Sequence, residues 1–202
     1  MRVLITQKFA ASRQSGPSND APLSIDTELR SAAVLVPLID RAAGMTVLLT
    51  QRAGHLPHHA GQVSFPGGSV EQIDTSPMAT ALRETEEEIG LPPNQVEVIG
   101  YLPTSVTLTG FRIVPVVAIV RPDFNLKVDA LEVEEVFEVP LQFILDPRHH
   151  QLRTTRIRDR DATYYTLNYQ GRNIWGATAG ILVSLYRKLS EDPPLPSTSN
   201  LR

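Results

Sequence analysis

The sequence predicts an α+β domain in which helices are layered on a mixed β-sheet. Short β-rich segments follow one another closely, and two segments with helical periodicity stand out among them. Apolar residues make up 42% of the 202-residue chain and charged residues 20%. This composition can bury a sizeable core, and it excludes a chain that is disordered throughout.

Turn-forming residues separate six predicted strands, at residues 32–39, 46–51, 96–102, 112–120, 135–139 and 163–169. A helix is predicted over Pro77–Ile89, because Ser76 followed by proline is a typical helix start and Gly90 a typical stop. Its core-facing stripe is predicted to be Met78, Leu82, Thr85 and Ile89. A second helix is predicted over 177–189, and a short helical turn over Leu141–Leu145.

The domain is expected to span residues 26–190. An N-terminal arm over 1–25 precedes it, because residues 11–25 are rich in Ser, Pro, Asn and Asp, which are typical of loops. A disordered tail is predicted over 191–202, where three prolines accompany few residues that could pack. No internal repeat or low-complexity linker divides the segment between them.

Charge and cysteine usage exclude several classes of function. Nineteen basic and twenty-two acidic residues give a net charge of -3, which argues against a protein that binds nucleic acid through phosphate contacts. The absence of cysteine excludes disulfides, thiolate zinc sites and a cysteine nucleophile. The apolar segments fall short of the roughly 20 residues that span a bilayer, and the N-terminus lacks the apolar region of a signal peptide. We therefore expect a cytoplasmic protein, monomeric or homodimeric, without a membrane partner.

An acidic face on the first predicted helix is the most informative feature. Glu84, Glu87 and Glu88 share this face, and each like-charge pair opposes the helix by roughly 0.2–0.5 kcal/mol. Acids in the last turns also oppose the helix dipole, by roughly 0.3–1 kcal/mol each. Arg83 can pair with Glu87 but cannot neutralise three carboxylates. Clustered oxygen ligands suit Mg²⁺ or Mn²⁺, and the alternative is a solvated, purely structural helix face.

The loop before this helix contains Gly67 and Gly68 directly after a Phe-Pro pair. A glycine pair leaves the backbone open, so that a phosphate or a metal ion can approach the main chain closely. Taken by itself, the pair predicts only a turn.

The glycine pair and the acidic helix together resemble the Nudix box of the Nudix hydrolases. Five residues separate Gly68 from Asp74, and residues 83–91 (RETEEEIGL) match the box at every defined position when Thr85 takes its apolar position. One position departs from the pattern. The Nudix box has a glutamate with seven residues between it and the arginine. In this sequence that position is Thr75, and Asp74 lies one residue earlier.

The resemblance implies a Nudix-type αβα sandwich that hydrolyses its substrate with Mg²⁺ or Mn²⁺. It implies that Glu84, Glu87 and Glu88 are the catalytic metal ligands and that Arg83 orients them as an ion-pair partner. The general base would be one of these glutamates or a carboxylate from a later loop, such as Glu132.

Segments outside the box resemble the coenzyme A pyrophosphatase branch of the family. The extra motif of that branch is similar to residues 48–52, Leu56 and 59–68, although Pro57 and His58 occupy a stretch that is often basic in relatives. The resemblance implies hydrolysis of the pyrophosphate bond of coenzyme A and its thioesters to 3′,5′-ADP and 4′-phosphopantetheine or its acyl form. The alternatives are a Nudix hydrolase of ADP-ribose or NADH, and a non-catalytic module that senses a nucleotide.

The predicted substrate-binding residues are Arg52, His59, Gly67, Gly68 and Phe111. Arg52 could hold a phosphate bidentately or form a surface salt bridge. His59 is either a substrate contact or a hydrogen-bonded loop residue, and Phe111 lines the pocket or the core. We predict that Trp175 is a core anchor rather than a stacking platform.

Overall fold

The structure, a computed structural model, describes residues 1–17, 29–157 and 160–190. Four α-helices lie in these ranges: α1 Arg2–Ser15, α2 Pro77–Ile89, α3 Leu141–Leu145 and α4 Gly176–Ser190. The strands in the same ranges are β1 Arg30–Arg41, β2 Gly44–Arg52, β3 Val63–Ser64, β4 Gly67–Ser69, β5 Val96–Tyr101, β6 Ser105–Val106, β7 Phe111–Val120, β8 Val133–Pro140, β9 Gln151–Ile157, β10 Arg160–Tyr169 and β11 Arg172–Trp175.

Most of the strands join one mixed sheet. β1 and β7 run parallel from the pair Arg30 and Phe111 to the pair Ile39 and Val120, whereas the other pairings are antiparallel. β2 forms a hairpin with β1 and pairs with β8 along most of its length, while the short β3 pairs with β2 and the short β4 pairs with β1. β9, β10 and β11 form a second, antiparallel sheet. The predicted α+β class with a mixed sheet is confirmed.

Helices cover both faces of the mixed sheet. Successive side chains of a strand point to opposite faces of the sheet. In β7, Val116 therefore packs in the core beneath α2, whereas Val117 packs in the core beneath α1, α3 and α4. The second sheet packs on the same side as α4, through Leu167 and Ile174. None of the described helices is long and apolar enough to cross a membrane.

The buried face of α2 differs from the predicted stripe. Thr85 and Ile89 are buried as expected, but Met78 is 38% exposed, and Ala81 and Glu88 are buried instead. Leu82 is partly buried and packs on the core beneath α2, so three of the four predicted positions face the core. The buried surface also extends toward the acidic side of the helix, where β4 lies.

The N-terminal arm is a helix over most of its described length, so the predicted loop over 11–25 is wrong for residues 11–15. Ile5 and Phe9 of α1 are buried against β5, and the Tyr101 N–H donates a hydrogen bond of 3.1 Å to Ser12 Oγ. Only two side chains of the helix are buried, which is too weak a periodic signal to read from the sequence. The rest of the predicted loop from residue 18 and the tail over 191–202 lie outside the described residues, and the domain bounds stay a prediction.

Gly100→Ala should test this packing of α1. The added Cβ would lie 2.6 Å from Ser12 Oγ and 2.8 Å from the Phe9 carbonyl oxygen, so we expect the free energy of unfolding to fall by about 1–3 kcal/mol. Urea denaturation measures the change. Gly180→Ala in α4 is the matched control, because nothing lies within 4 Å of its added Cβ and alanine favours a helix. Equal stability of the Gly100 variant and the parent would contradict the docked helix.

Candidate active site

The glycine pair, predicted as a turn, follows a bend at Pro66 and belongs to the short strand β4. This segment, Pro66–Gly68, which we call the glycine turn, lies against the acidic face of α2. The Gly67 N–H donates a hydrogen bond of 3.1 Å to Glu88 Oε2. Gly67 packs so tightly on β1 that an added Cβ would lie 2.6 Å from Val34 Cα. At Gly68 an added Cβ would overlap the Glu84 carboxylate. Position 67 therefore requires glycine, because the clash is with backbone, whereas a side chain at position 68 would displace the Glu84 carboxylate.

Glu88 is a carboxylate buried inside this arrangement. Its side chain is only 4% exposed, and burial raises its pKa to about 8 against the opposing effects of the Gly67 N–H and the Arg52 guanidinium. The charges of Glu84 and Glu132 add to the increase. Burial also raises the pKa of Glu84. Ionised carboxylates are therefore costly at this site, and a bound cation would offset that cost.

Arg83 ties the loop before α2 to the helix. Its guanidinium donates to both carboxylate oxygens of Asp74, at 3.0 and 2.9 Å, and contacts Glu84 at 3.0 Å and Glu87 at 2.9 Å. The same hydrogen bonds hold the pKa of Asp74 well below its usual range. Asp74 also accepts from the Glu71 N–H at 2.9 Å. Asp74 therefore braces the loop, a role that the sequence pattern left open.

Glu87 is more exposed than the other two glutamates of the predicted metal site. Its side chain is 59% exposed and is directed to Arg83. Within the described residues, no three acidic or histidine side chains converge on one cation position. Glu84 and Glu88 nevertheless fit a divalent ion, because Mg²⁺ is usually held by one or two carboxylates and completed by water and substrate phosphates. Glu87 as a ligand stays a prediction.

Arg52 lies beside Glu88 at the end of β2. Its N–H donates to the Gln62 carbonyl at 2.9 Å, its carbonyl accepts from Gly61 at 3.1 Å, and its Nη1 lies 3.8 Å from Glu88 Oε1. The Nε atom is buried and has no hydrogen-bond partner among the described residues. A buried unpaired donor costs about 1–3 kcal/mol, so an acceptor that reached this atom would recover that cost.

The contacts of the remaining predicted site residues are with groups other than the carboxylates. His59 adopts a positive φ of 58° on the exposed loop between β2 and β3, and its Nδ1 lies 3.0 Å from Gln62 Oε1. Phe111 begins β7, and the Arg30 guanidinium lies 4.0 Å above its ring. Their roles toward a substrate stay predictions. Trp175 is 40% exposed, so the prediction of a core anchor is wrong: it lies on the solvent side of the second sheet.

The segment before β8 contributes a contact that sequence patterns did not indicate. The backbone N–H groups of Lys127 and Asp129 donate to the Ile89 and Glu88 carbonyls, both at 2.9 Å, and so satisfy the C-terminal end of α2. The Ala53 N–H donates to the Glu132 carbonyl at 2.9 Å, which anchors this segment beside β2. The charge of Glu132 consequently acts on both buried carboxylates.

A mixed sheet between helices, with a glycine turn held on an acidic helix, defines the class of domain. The model of the NUDIX domain matches residues 29–159, and the chain belongs to the Nudix family, as the box predicts. It is 45% identical over 165 residues to the uncharacterized Nudix hydrolase NudL of Escherichia coli O6:H1, covering 81% of this chain and 85% of the relative. The protein of the same name from Enterobacter sp. is 44% identical over the same length. A MutT/nudix family protein from Enterococcus faecalis shares the fold, with a TM-score of 0.51, 19% identity, and coverage of 84% of this chain and 65% of that one.

Proposed function

We propose that this Nudix hydrolase cleaves the pyrophosphate bond of coenzyme A and its thioesters, releasing 3′,5′-ADP and 4′-phosphopantetheine or its acyl form. The observation that carries the proposal is the arrangement of Glu84 and Glu88 against Gly67 and Gly68, with the partly exposed Arg52 guanidinium beside Glu88. Paired carboxylates next to a guanidinium suit a substrate that carries adjacent phosphates.

The choice of coenzyme A rests on the residues that resemble the coenzyme A branch. Residues 48–52 belong to β2, and residues 59–68 return through β3 to the glycine turn. Backbone hydrogen bonds between Arg52 and the pair Gly61 and Gln62 close the loop between the two segments. The residues that resemble the branch motif therefore form one structural unit, which reaches the carboxylates through Arg52.

Residues of the chain would have the following roles in hydrolysis of the pyrophosphate bond. Glu84 and Glu88 would hold Mg²⁺ or Mn²⁺, which when bound neutralises phosphate oxygens and lowers the pKa of a water. Arg52 would hold a phosphate through two parallel hydrogen bonds. Arg83 keeps Glu84 in place. Proton transfer from the attacking water would fall to a glutamate of the box or to Glu132. The lack of cysteine accords with a reducing, cytoplasmic location.

Mass spectrometry of the products tests the proposal and its metal requirement. The protein is incubated in parallel with coenzyme A, ADP-ribose and NADH, with Mg²⁺ or Mn²⁺ and with a chelator. We expect release of 3′,5′-ADP from coenzyme A ahead of the other two cleavages, and its loss in the chelator. Preferential cleavage of ADP-ribose or NADH would refute the substrate and keep the Nudix reaction. No cleavage of any of them would favour a sensing module.

A further inference from the structure

The second sheet presents a solvent-facing side, which we call the outer face. In β10, Tyr165 and Leu167 pack on the core, so the alternate residues point away from it. The strand register places Arg153 opposite Tyr164, and Trp175 opposite Thr166. The outer face consists of Gln151, Arg153, Thr155, Ala162, Tyr164, Thr166, Asn168, Asn173 and Trp175.

Two aromatic rings form the centre of the outer face. The ring centroids of Tyr164 and Trp175 are 5.9 Å apart at an interplanar angle of 64°, an edge-to-face arrangement. Trp175 is the only tryptophan of the chain and is 40% exposed. Large exposed aromatic surface is characteristic of recognition sites, because its apolar area is left in water until a ligand covers it.

The charge of the outer face selects an anionic ligand. Arg153 is the one charged side chain of this face that the structure describes, and it donates a hydrogen bond of 2.9 Å to Gln151 Oε1. It lies directly across from Tyr164 in the ladder. An aromatic surface beside a guanidinium fits a planar base that carries a phosphate nearby.

The second sheet is joined to the strand that leads to the glycine turn, and its aromatic residues lie beyond the matched family domain. The family match ends at residue 159, before Tyr164 and Trp175. β11 lies against β3, and the Thr178 hydroxyl at the start of α4 donates to the Val63 carbonyl at 3.0 Å. Val63 precedes Gly67 by four residues, a span of about 13 Å in extended chain. The outer face of the second sheet can therefore bind a part of the substrate that is remote from the scissile bond.

We propose that the outer face binds the adenine nucleotide half of the substrate. Trp175 and Tyr164 stack on the base, and Arg153 contacts the phosphate on the ribose. The inference rests on the proposed function, which supplies a substrate with 3′-phosphoadenosine at one end. It assigns a substrate-binding role to residues that take no part in the metal site.

Fluorescence of the single tryptophan tests the assignment without any turnover. The protein is titrated with 3′,5′-ADP, with 5′-AMP and with 4′-phosphopantetheine. We expect a saturable change with both nucleotides, tighter for 3′,5′-ADP, and none with 4′-phosphopantetheine. A saturable nucleotide response in a protein that cleaves no coenzyme A would refute the proposed function and keep this site. Two results would overturn the proposed nucleotide site. One is the absence of a fluorescence change with either nucleotide, and the other is a change that depends on protein concentration alone, because a second copy of the chain then covers the outer face.

Variants separate base stacking from phosphate binding. Trp175→Ala should weaken 3′,5′-ADP binding, measured by calorimetry, and raise KM for coenzyme A by about 5- to 150-fold with kcat nearly unchanged. Arg153→Gln should weaken 3′,5′-ADP more than 5′-AMP. Leu152→Ala is the matched control for Arg153→Gln. Leu152 is exposed and lies on β9, as Arg153 does, but it belongs to the opposite face of the sheet. Parental affinity and KM in the Trp175 variant would contradict the proposal.

Discussion

Glu88→Gln is expected to lower kcat/KM for the pyrophosphate substrate by about a thousandfold while the protein stays folded. The variant keeps the shape of the side chain and can keep the hydrogen bond from the Gly67 N–H, but it removes the carboxyl group that can ionise to bind a cation. Stabilisation of transition-state charge by a bound cation is worth several kcal/mol, and each 1.36 kcal/mol is tenfold in rate. Steady-state kinetics with Mg²⁺ measures the loss.

The effect of Glu88→Gln on stability should be opposite to its effect on activity. The Glu88 carboxylate is removed from water by folding, and a neutral amide removes that cost, so the free energy of unfolding should be equal or higher in the variant. Glu86→Gln is the matched control, because Glu86 is exposed on the same helix, two residues away. Retained activity in the Glu88 variant, or equal losses in both variants, would contradict the assignment of the buried carboxylate to the metal site.

Helical periodicity predicted the acidic face of α2 but not which partner each of its members takes. Glu88 lies nearest to the core stripe on the helix and Glu87 farthest from it, and the structure accordingly buries Glu88, half-buries Glu84 and leaves Glu87 exposed beside Arg83. The difference arises from β4, which lies against one side of the helix and covers two of the three carboxylates. A contact between segments some twenty residues apart is not encoded in local spacing.

Contacts between segments that are distant in the sequence also explain two other differences between the predicted and the observed fold. Met78 is apolar and in phase with the predicted stripe, yet it is exposed, because the buried surface of α2 extends toward the acidic side instead. Trp175 would be buried by hydrophobicity alone, but its strand register places it on the outer face of the second sheet. Local signals such as the Ser76 cap and the Gly90 stop, in contrast, located α2 to the residue, because each acts through the backbone next to it.

Gly68→Ala tests whether close approach of the turn to α2 positions Glu84. The added Cβ would occupy the place of the Glu84 carboxylate, so that side chain must swing aside. A misplacement of about 1 Å can cost a hundredfold in rate, and we expect at least that loss in kcat/KM with Mg²⁺. The free energy of unfolding should change little, because the displaced group is the flexible end of a side chain. Gly54→Ala is the matched control, since its Cβ would meet only Glu134 Oε2, at 3.9 Å.

A double-mutant cycle shows whether the Gly68 effect acts through Glu84. If it does, adding Gly68→Ala to a Glu84→Gln protein should lower kcat/KM by far less than it lowers that of the parent, because the positioned carboxylate is already gone. Fully additive losses would mean that the alanine damages the turn itself or excludes the phosphate from the main chain. Parental activity in Gly68→Ala alone would show that Glu84 can leave the turn without consequence, and would remove the geometric basis for pairing it with Glu88.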